Sequence, residues 1–262
     1  MLGKLIKYDL KANRNLFLLM YAVLTVTALG SRIAMSEVFE ELEGFSGVAV
    51  IAVLVVVSYF VAVVAVSVME YVLIIRRFYN NLFGSEGYLS FTLPVTASQH
   101  FWAKVLSALI WVLCSTIVQI VSLMIVFSGL MEPELFGQSA QIYEEVISQL
   151  TSVGDMIWQS VVGIFDGVAG LLMIYFAICL GQMANRRRVL ASIVYYFGMN
   201  FIFNMINSLV MEGFVVVDLY AVNSVITYET GYYVMTVAMV AAKLVLFSFG
   251  SILIMQKKLN LE

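Results

Sequence analysis

The sequence is poor in charge. Charged residues make up 12% of its 262 residues, whereas hydrophobic residues make up 62%. Soluble domains have about 25% charged residues, and one core of this size could not bury so much apolar surface. This composition excludes an ordinary soluble protein and predicts an integral membrane protein.

Cysteine and histidine are also scarce. Cys114 and Cys179 both lie inside hydrophobic runs, so the sequence supports neither a disulfide framework nor a thiolate metal site. The single histidine, His100, belongs to no H-E-x-x-H motif and has no serine partner in the apolar runs. An intramembrane enzyme is therefore disfavoured, and we expect no catalytic residue and no metal ligand. The net charge of −3 suggests no nucleic-acid partner.

Six hydrophobic runs are long enough to cross a hydrocarbon core of about 30 Å at about 1.5 Å per residue. They lie near residues 15–33, 47–75, 105–130, 157–183, 189–211 and 232–255. A backbone in lipid has to satisfy its own hydrogen bonds, so runs of this length form helices. The sequence predicts an all-α membrane protein with six transmembrane helices.

The basic residues predict the orientation of these helices. Twelve of the fourteen lysines and arginines fall in segments that one topology places on a single side. They are Lys4, Lys7, Lys11, Arg14, Arg76, Arg77, Lys104, Arg186, Arg187, Arg188, Lys257 and Lys258. The loops on the other side are acidic, with Arg32 at their margin as the only cation. Because basic loops stay inside the cell, we expect both termini to be cytoplasmic.

Residues 1–14 form a separate amphipathic pattern ahead of the membrane domain at 15–262. Four basic residues recur there at spacings of three and four, opposite Leu2, Leu5, Ile6 and Leu10. The pattern predicts an interfacial helix on the inner leaflet, whose basic residues anchor the first span or also touch a partner. A secretory signal peptide is the alternative, because Ala28-Leu29-Gly30 is compatible with a cleavage site.

The segment at 76–104 is the only long connection on the predicted cytoplasmic side. It carries seven aromatic residues, which are Phe78, Tyr79, Phe83, Tyr88, Phe91, Phe101 and Trp102. Pro94 and the residues after it can start a new helix that leads to Lys104. So many aromatic side chains indicate either an interfacial belt or a protein-binding surface.

The run LFGSEGYLSFTLPVTASQHFWAK at 82–104 closely resembles the permease subunits of type-2 ATP-binding cassette exporters from Gram-positive bacteria. That resemblance implies a multi-pass protein of the bacterial cell membrane, paired with a second permease that is identical or homologous. It also implies a coupling helix docked on a separate ATPase, present in two copies, which binds ATP and magnesium. By the resemblance, the docking residues are Phe83, Glu86, Gly87, Tyr88, Leu89, Leu93 and Pro94. The chain itself has no G-x-x-x-x-G-K-[ST] phosphate loop, so ATP would bind another polypeptide.

Polar residues form stripes on two predicted helices. Ser115, Gln119 and Ser122 lie on the third, and Tyr196, Asn200, Asn204 and Asn207 lie on the fifth. Such stripes turn away from lipid, either to bond other helices or to line a translocation path between two permease subunits. The preferred function is an export permease, and the alternative is a secondary transporter or channel without an ATPase. The internal repeats expected of a secondary transporter are not evident.

Three ionisable residues lie within the predicted spans, where charge is costly and marks functional positions. They are Glu70, Asp166 and Lys243. Counting from the nearest cytoplasmic cation at about 1.5 Å per residue places Lys243 closer in depth to Asp166 than to Glu70. We expect an ion pair between Lys243 and Asp166, either structural or in contact with cargo, and a basic partner for Glu70.

Two further expectations rest on weaker patterns. Gly163 and Gly167 have the G-x-x-x-G spacing that allows close helix packing. A partly re-entrant element within residues 212–231 is suggested by the same family resemblance.

Overall fold

A computed structural model describes residues 2–40, 47–84, 95–128, 153–184, 187–220 and 225–257. These ranges contain six long α-helices and no β-strand. The helices are α1 (Leu2–Glu40), α2 (Gly47–Phe83), α3 (Ala97–Phe127), α4 (Val153–Gly181), α5 (Arg188–Tyr220) and α6 (Val225–Lys257). Each contains a stretch long and apolar enough to cross a membrane. The prediction of an all-α membrane protein with six transmembrane helices is confirmed.

The helices extend beyond the apolar runs. α1 is continuous across residues 14 and 15, so the amphipathic pattern and the first span belong to one helix of 39 residues. The interfacial placement of residues 1–14 stays a prediction. Residues 212–220 continue α5 and residues 225–231 begin α6, so the described part of 212–231 forms no separate re-entrant element.

The chain divides into two compact units. The first comprises Met1–Arg77 and Trp102–Ser152, and the second comprises Phe78–Phe101 and Val153–Glu262. The division falls inside two helices, near the end of α2 and the start of α3. These two helices therefore contribute residues to both units.

The first unit is built from α1, most of α2 and most of α3. Leu24, Tyr59 and Val126, one from each helix, belong to its buried cluster. Polar groups join the same helices, since Ser31 Oγ donates to the carbonyl of Val55 at 3.2 Å. Small apolar and hydroxyl residues thus bring the backbones of α1 and α2 close together.

The second unit is centred on α4, which packs against both α5 and α6. Phe247 of α6 is fully buried. The centre of its ring lies 5.7 Å from that of Phe176 of α4 and 5.4 Å from that of Phe203 of α5. The half of α4 after residue 168 is largely buried, whereas the half before it is largely exposed. The core of this unit therefore lies toward the C-terminal end of α4.

Candidate functional site

The two ends of the 76–104 segment are described, at residues 76–84 and 95–104. Phe83 is the last residue of α2 and is half-buried. The other six residues that the resemblance assigns to ATPase docking lie outside the described residues. They are Glu86, Gly87, Tyr88, Leu89, Leu93 and Pro94.

α3 begins just after Pro94, as its sequence predicts. Thr96 Oγ1 accepts a hydrogen bond from the backbone N–H of Gln99 at 3.3 Å. This is an N-cap, which satisfies one of the donors left open at the start of a helix. The cap fixes the start of α3 at Ala97, within the 76–104 segment.

In the second unit, an aromatic cluster holds both ends of the segment. The Phe78 ring stacks on Tyr175 of α4, with centroids 3.8 Å apart and planes 7° from parallel. Phe101 approaches Tyr175 edge-on at 6.3 Å, and Phe83 approaches Phe78 edge-on at 5.9 Å. Phe78 and Phe101 are fully buried. The interpretation of these two residues as a surface for a partner is therefore wrong, because their rings pack inside the chain.

In the first unit, one carboxylate binds residues at both ends of the segment. Asp9 Oδ1 accepts from Arg77 Nε at 2.5 Å and also from Lys104 Nζ, while Asp9 Oδ2 accepts from Ser107 Oγ. The Asp9 side chain is 10% exposed and that of Lys104 12%. Three helices thus meet at a desolvated charge cluster, in which each hydrogen bond is charge-assisted.

Sequence reasoning missed this cluster. The available signal was Asp9 itself, the only acidic residue among the first fourteen, which lies on the side of the helix opposite the basic face. An acid on an apolar face needs a buried partner, because an unpaired buried charge is costly.

The polar stripe of α3 is used for bonds between helices. Ser115 is buried and shares a hydrogen bond of 2.7 Å with Tyr21 Oη of α1. Ser122 is buried and shares one of 2.9 Å with Tyr59 Oη of α2, and Gln119 Nε2 lies 3.4 Å from Ser67 Oγ. For Ser115 and Gln119, this geometry favours the structural alternative over a place in a translocation path.

Glu70 has no basic partner among the described residues. Its buried side chain lies against Ser115, and its Oε1 makes no hydrogen bond to any described group. The expectation of a basic partner is wrong among the described residues, because Arg76, the closest cation along α2, is exposed and Arg77 binds Asp9 instead.

The polar stripe of α5 faces outward in the single chain. Asn204 Nδ2 donates to Asn200 Oδ1, and Asn200 Nδ2 lies 3.5 Å from Tyr196 Oη. Asn204 and Asn207 are exposed. Amide groups on a membrane helix are costly in hydrocarbon, so this face requires water or another helix.

Lys243 and Asp166 lie together in the second unit. Lys243 Nζ donates to Asp166 Oδ1 at 2.8 Å, and the same nitrogen lies 5.8 Å from the centre of the Phe203 ring. The Asp166 side chain is 50% exposed. The pair thus ties α6 to α4 while one carboxylate oxygen remains open to the surroundings.

Three glycines in the middle of α4 have no close neighbour among the described residues. A Cβ added at Gly163, Gly167 or Gly170 would meet no atom of the described residues within 4 Å. The close packing expected from the G-x-x-x-G spacing is therefore not found among these helices. Within the described ranges, no group of three or more metal-ligating side chains comes together.

Comparisons of this chain with protein-family models, with curated proteins and with solved structures gave no match.

Proposed function

We propose that this chain is a permease subunit of an ATP-driven exporter in a bacterial cell membrane. It works with a second permease, identical or homologous, and with two copies of a separate ATPase that binds ATP and magnesium. The observation that carries the proposal is the run at 82–104 between the second and third helices, which resembles an ATPase-coupling segment.

The anchoring of this segment supports the proposal. Arg77 and Lys104 bind one carboxylate, and Phe78 and Phe101 pack on one tyrosine. Because both ends of the segment are fixed in this way, a displacement of the segment by the ATPase is transmitted to α2 and α3. Motions of that kind open and close binding sites in many transport and enzyme systems.

The outward-facing polar groups of the second unit supply a surface for a translocation path. Asn200, Asn204 and Asn207 provide amide groups along α5, and Lys243 provides a cation beside the half-exposed Asp166. Six helices alone offer little room for a closed pathway, so a path between two permeases is the simplest arrangement.

Site-specific photo-crosslinking tests the proposal. A photoreactive amino acid replaces Phe83 at the end of α2 or, in the control, Phe127 at the opposite end of α3. From Phe83 we expect a crosslinked peptide of a protein that carries a G-x-x-x-x-G-K-[ST] phosphate loop. From Phe127, which is exposed but predicted to lie outside the cell, we expect none.

Two results would contradict the proposal. One is a purified native complex that lacks vanadate-sensitive ATP hydrolysis. The proposal requires a separate ATPase in that complex, because the chain itself has no phosphate loop. The other is dissipation of a proton gradient by the chain alone in liposomes without ATP, which would favour a secondary transporter.

A further inference from the structure

Asp9 joins three helices through one side chain. Its Oδ1 receives both Arg77 Nε of α2 and Lys104 Nζ of α3, and its Oδ2 receives the hydroxyl of Ser107. Arg77 and Lys104 are 68 and 95 positions from Asp9 along the chain. These contacts therefore fix tertiary structure and do not arise from local helix geometry.

The burial of the cluster distinguishes it from a surface ion pair. Exposed pairs contribute little because water and salt screen them and both side chains stay mobile. Here the Asp9 and Lys104 side chains are 10% and 12% exposed, and that of Arg77 is 22% exposed. Removing the carboxylate would take the shared acceptor away from two cations that have little access to water, which is strongly destabilising in a buried cluster.

The cluster has a direct geometric consequence for the 76–104 segment. Because two cations, one from each end of the segment, bind the same oxygen, the end of α2 and the start of α3 cannot separate while Asp9 is in place. All four residues belong to the first unit, so this constraint is defined within that unit.

We propose that Asp9 is a positioning residue that clasps the ends of α2 and α3 to α1, so that a push on the 76–104 segment moves the three helices as one body. This inference rests on the proposed function, since it assigns the clasp to the same coupling segment. Asp9 itself touches neither ATPase nor cargo.

A distance measurement on the chain alone tests the clasp. Spin labels at positions 76 and 102, in a variant with Cys114→Ser and Cys179→Ala, report the spacing of the two ends by pulsed electron paramagnetic resonance. We expect one narrow distance distribution in the parent and a broader distribution, shifted to longer distances, in Asp9→Asn. Glu70→Gln is the control, because Glu70 is also a buried acid of the first unit but lies outside the clasp.

Two rescue variants separate the clasp from a general loss of folding. Asp9→Glu keeps the carboxylate, and the exchange Asp9→Lys with Lys104→Asp restores an opposite-charge contact between α1 and α3. Both are expected to return the distribution toward that of the parent. An unchanged distribution in Asp9→Asn overturns the clasp, whether or not an ATPase binds the chain.

The role in coupling has its own readout in the purified complex with its ATPase. We expect trapping with ADP and vanadate to shift the distance distribution of a label pair placed at 127 on α3 and 209 on α5 in the parent complex, because the first label moves with the three helices and the second does not. Asp9→Asn should lose this shift while the complex still hydrolyses ATP. A full shift in Asp9→Asn overturns the positioning role. No shift in the parent complex counts against the proposed function, and the clasp is still decided by the measurement on the chain alone.

Discussion

Lys243 of α6 and Asp166 of α4 form an ion pair within the hydrophobic length of both helices, with Nζ 2.8 Å from Oδ1. The exposed fraction of the aspartate side chain is 50% and that of the lysine 23%. The pair is therefore a link between helices in which the acid is still accessible from outside the chain.

Lys243→Met should destabilise the second unit, because it leaves Asp166 in the membrane without its cation. Breaking a buried pair costs about 3–5 kcal/mol, and the half-exposed aspartate should reduce this cost. Thermal unfolding in detergent measures the change. Adding Asp166→Asn to the same variant should recover much of the loss, and equal instability of the single and double variants would show that the pair contributes nothing.

Asp9 and Glu70, which are both buried in the first unit, should respond in opposite ways to loss of charge. Asp9→Asn removes a carboxylate that contacts both Arg77 and Lys104, and a loss of about 3–5 kcal/mol is typical when one partner of a buried pair is removed. Glu70→Gln removes a carboxylate that contacts no cation among the described residues, and the new glutamine can keep the hydrogen bond to Ser115. The free energy of unfolding should therefore be unchanged or higher. Denaturation of the two variants side by side makes the comparison, and equal losses would contradict both assignments.

Gly181→Ala should destabilise the second unit. An added Cβ would lie 1.9 Å from Ser192 Oγ and 2.7 Å from the carbonyl oxygen of Arg188, and the backbone oxygen cannot move aside as a side chain can. Overpacking of this kind costs about 1–3 kcal/mol. Gly170→Ala, on the same helix, meets no atom within 4 Å and should be neutral or slightly stabilising. The melting temperatures of the two variants test this, and a reversed order would refute the close approach at Gly181.

Tyr59 and Ser122 should be energetically coupled through their hydrogen bond between α2 and α3. Such bonds in membrane proteins average about 0.6 kcal/mol and reach about 1.7 kcal/mol. A double-mutant cycle with Tyr59→Phe and Ser122→Ala measures the coupling energy. Strictly additive effects would mean that the polar stripe of α3 does not serve to join helices.

The features that could be predicted from the sequence are those that depend on local composition or on depth. Each span is visible because enough consecutive apolar residues to cross a bilayer can be counted directly. The approach of Lys243 to Asp166 followed from counting residues along two helices from their basic ends. Neither the count of apolar residues nor the count of depth requires knowledge of which helices are neighbours.

The contacts that depend on which helices are neighbours could not be predicted. Asp9 belongs to a segment dominated by four basic residues, and nothing local indicates partners 68 and 95 positions away. The rings of Phe78 and Phe101 suit a partner surface equally well until Tyr175 of α4 is known to cover them. A cation partner is expected for Glu70 because Arg76 is close along the helix, whereas Arg76 is exposed and the neighbouring Arg77 binds Asp9.

The separation of Asp166 and Lys243 along the chain also constrains how the protein is made. Lys243 follows Asp166 by 77 positions, which takes a ribosome about 4–15 s at about 5–20 residues per second. Throughout that interval the carboxylate of the fourth helix has no cation from the sixth, and hydrocarbon is a costly environment for it. The acid of α4 thus gains this partner only after α6 has been synthesised, so the ion pair joins two helices that enter the membrane at different times.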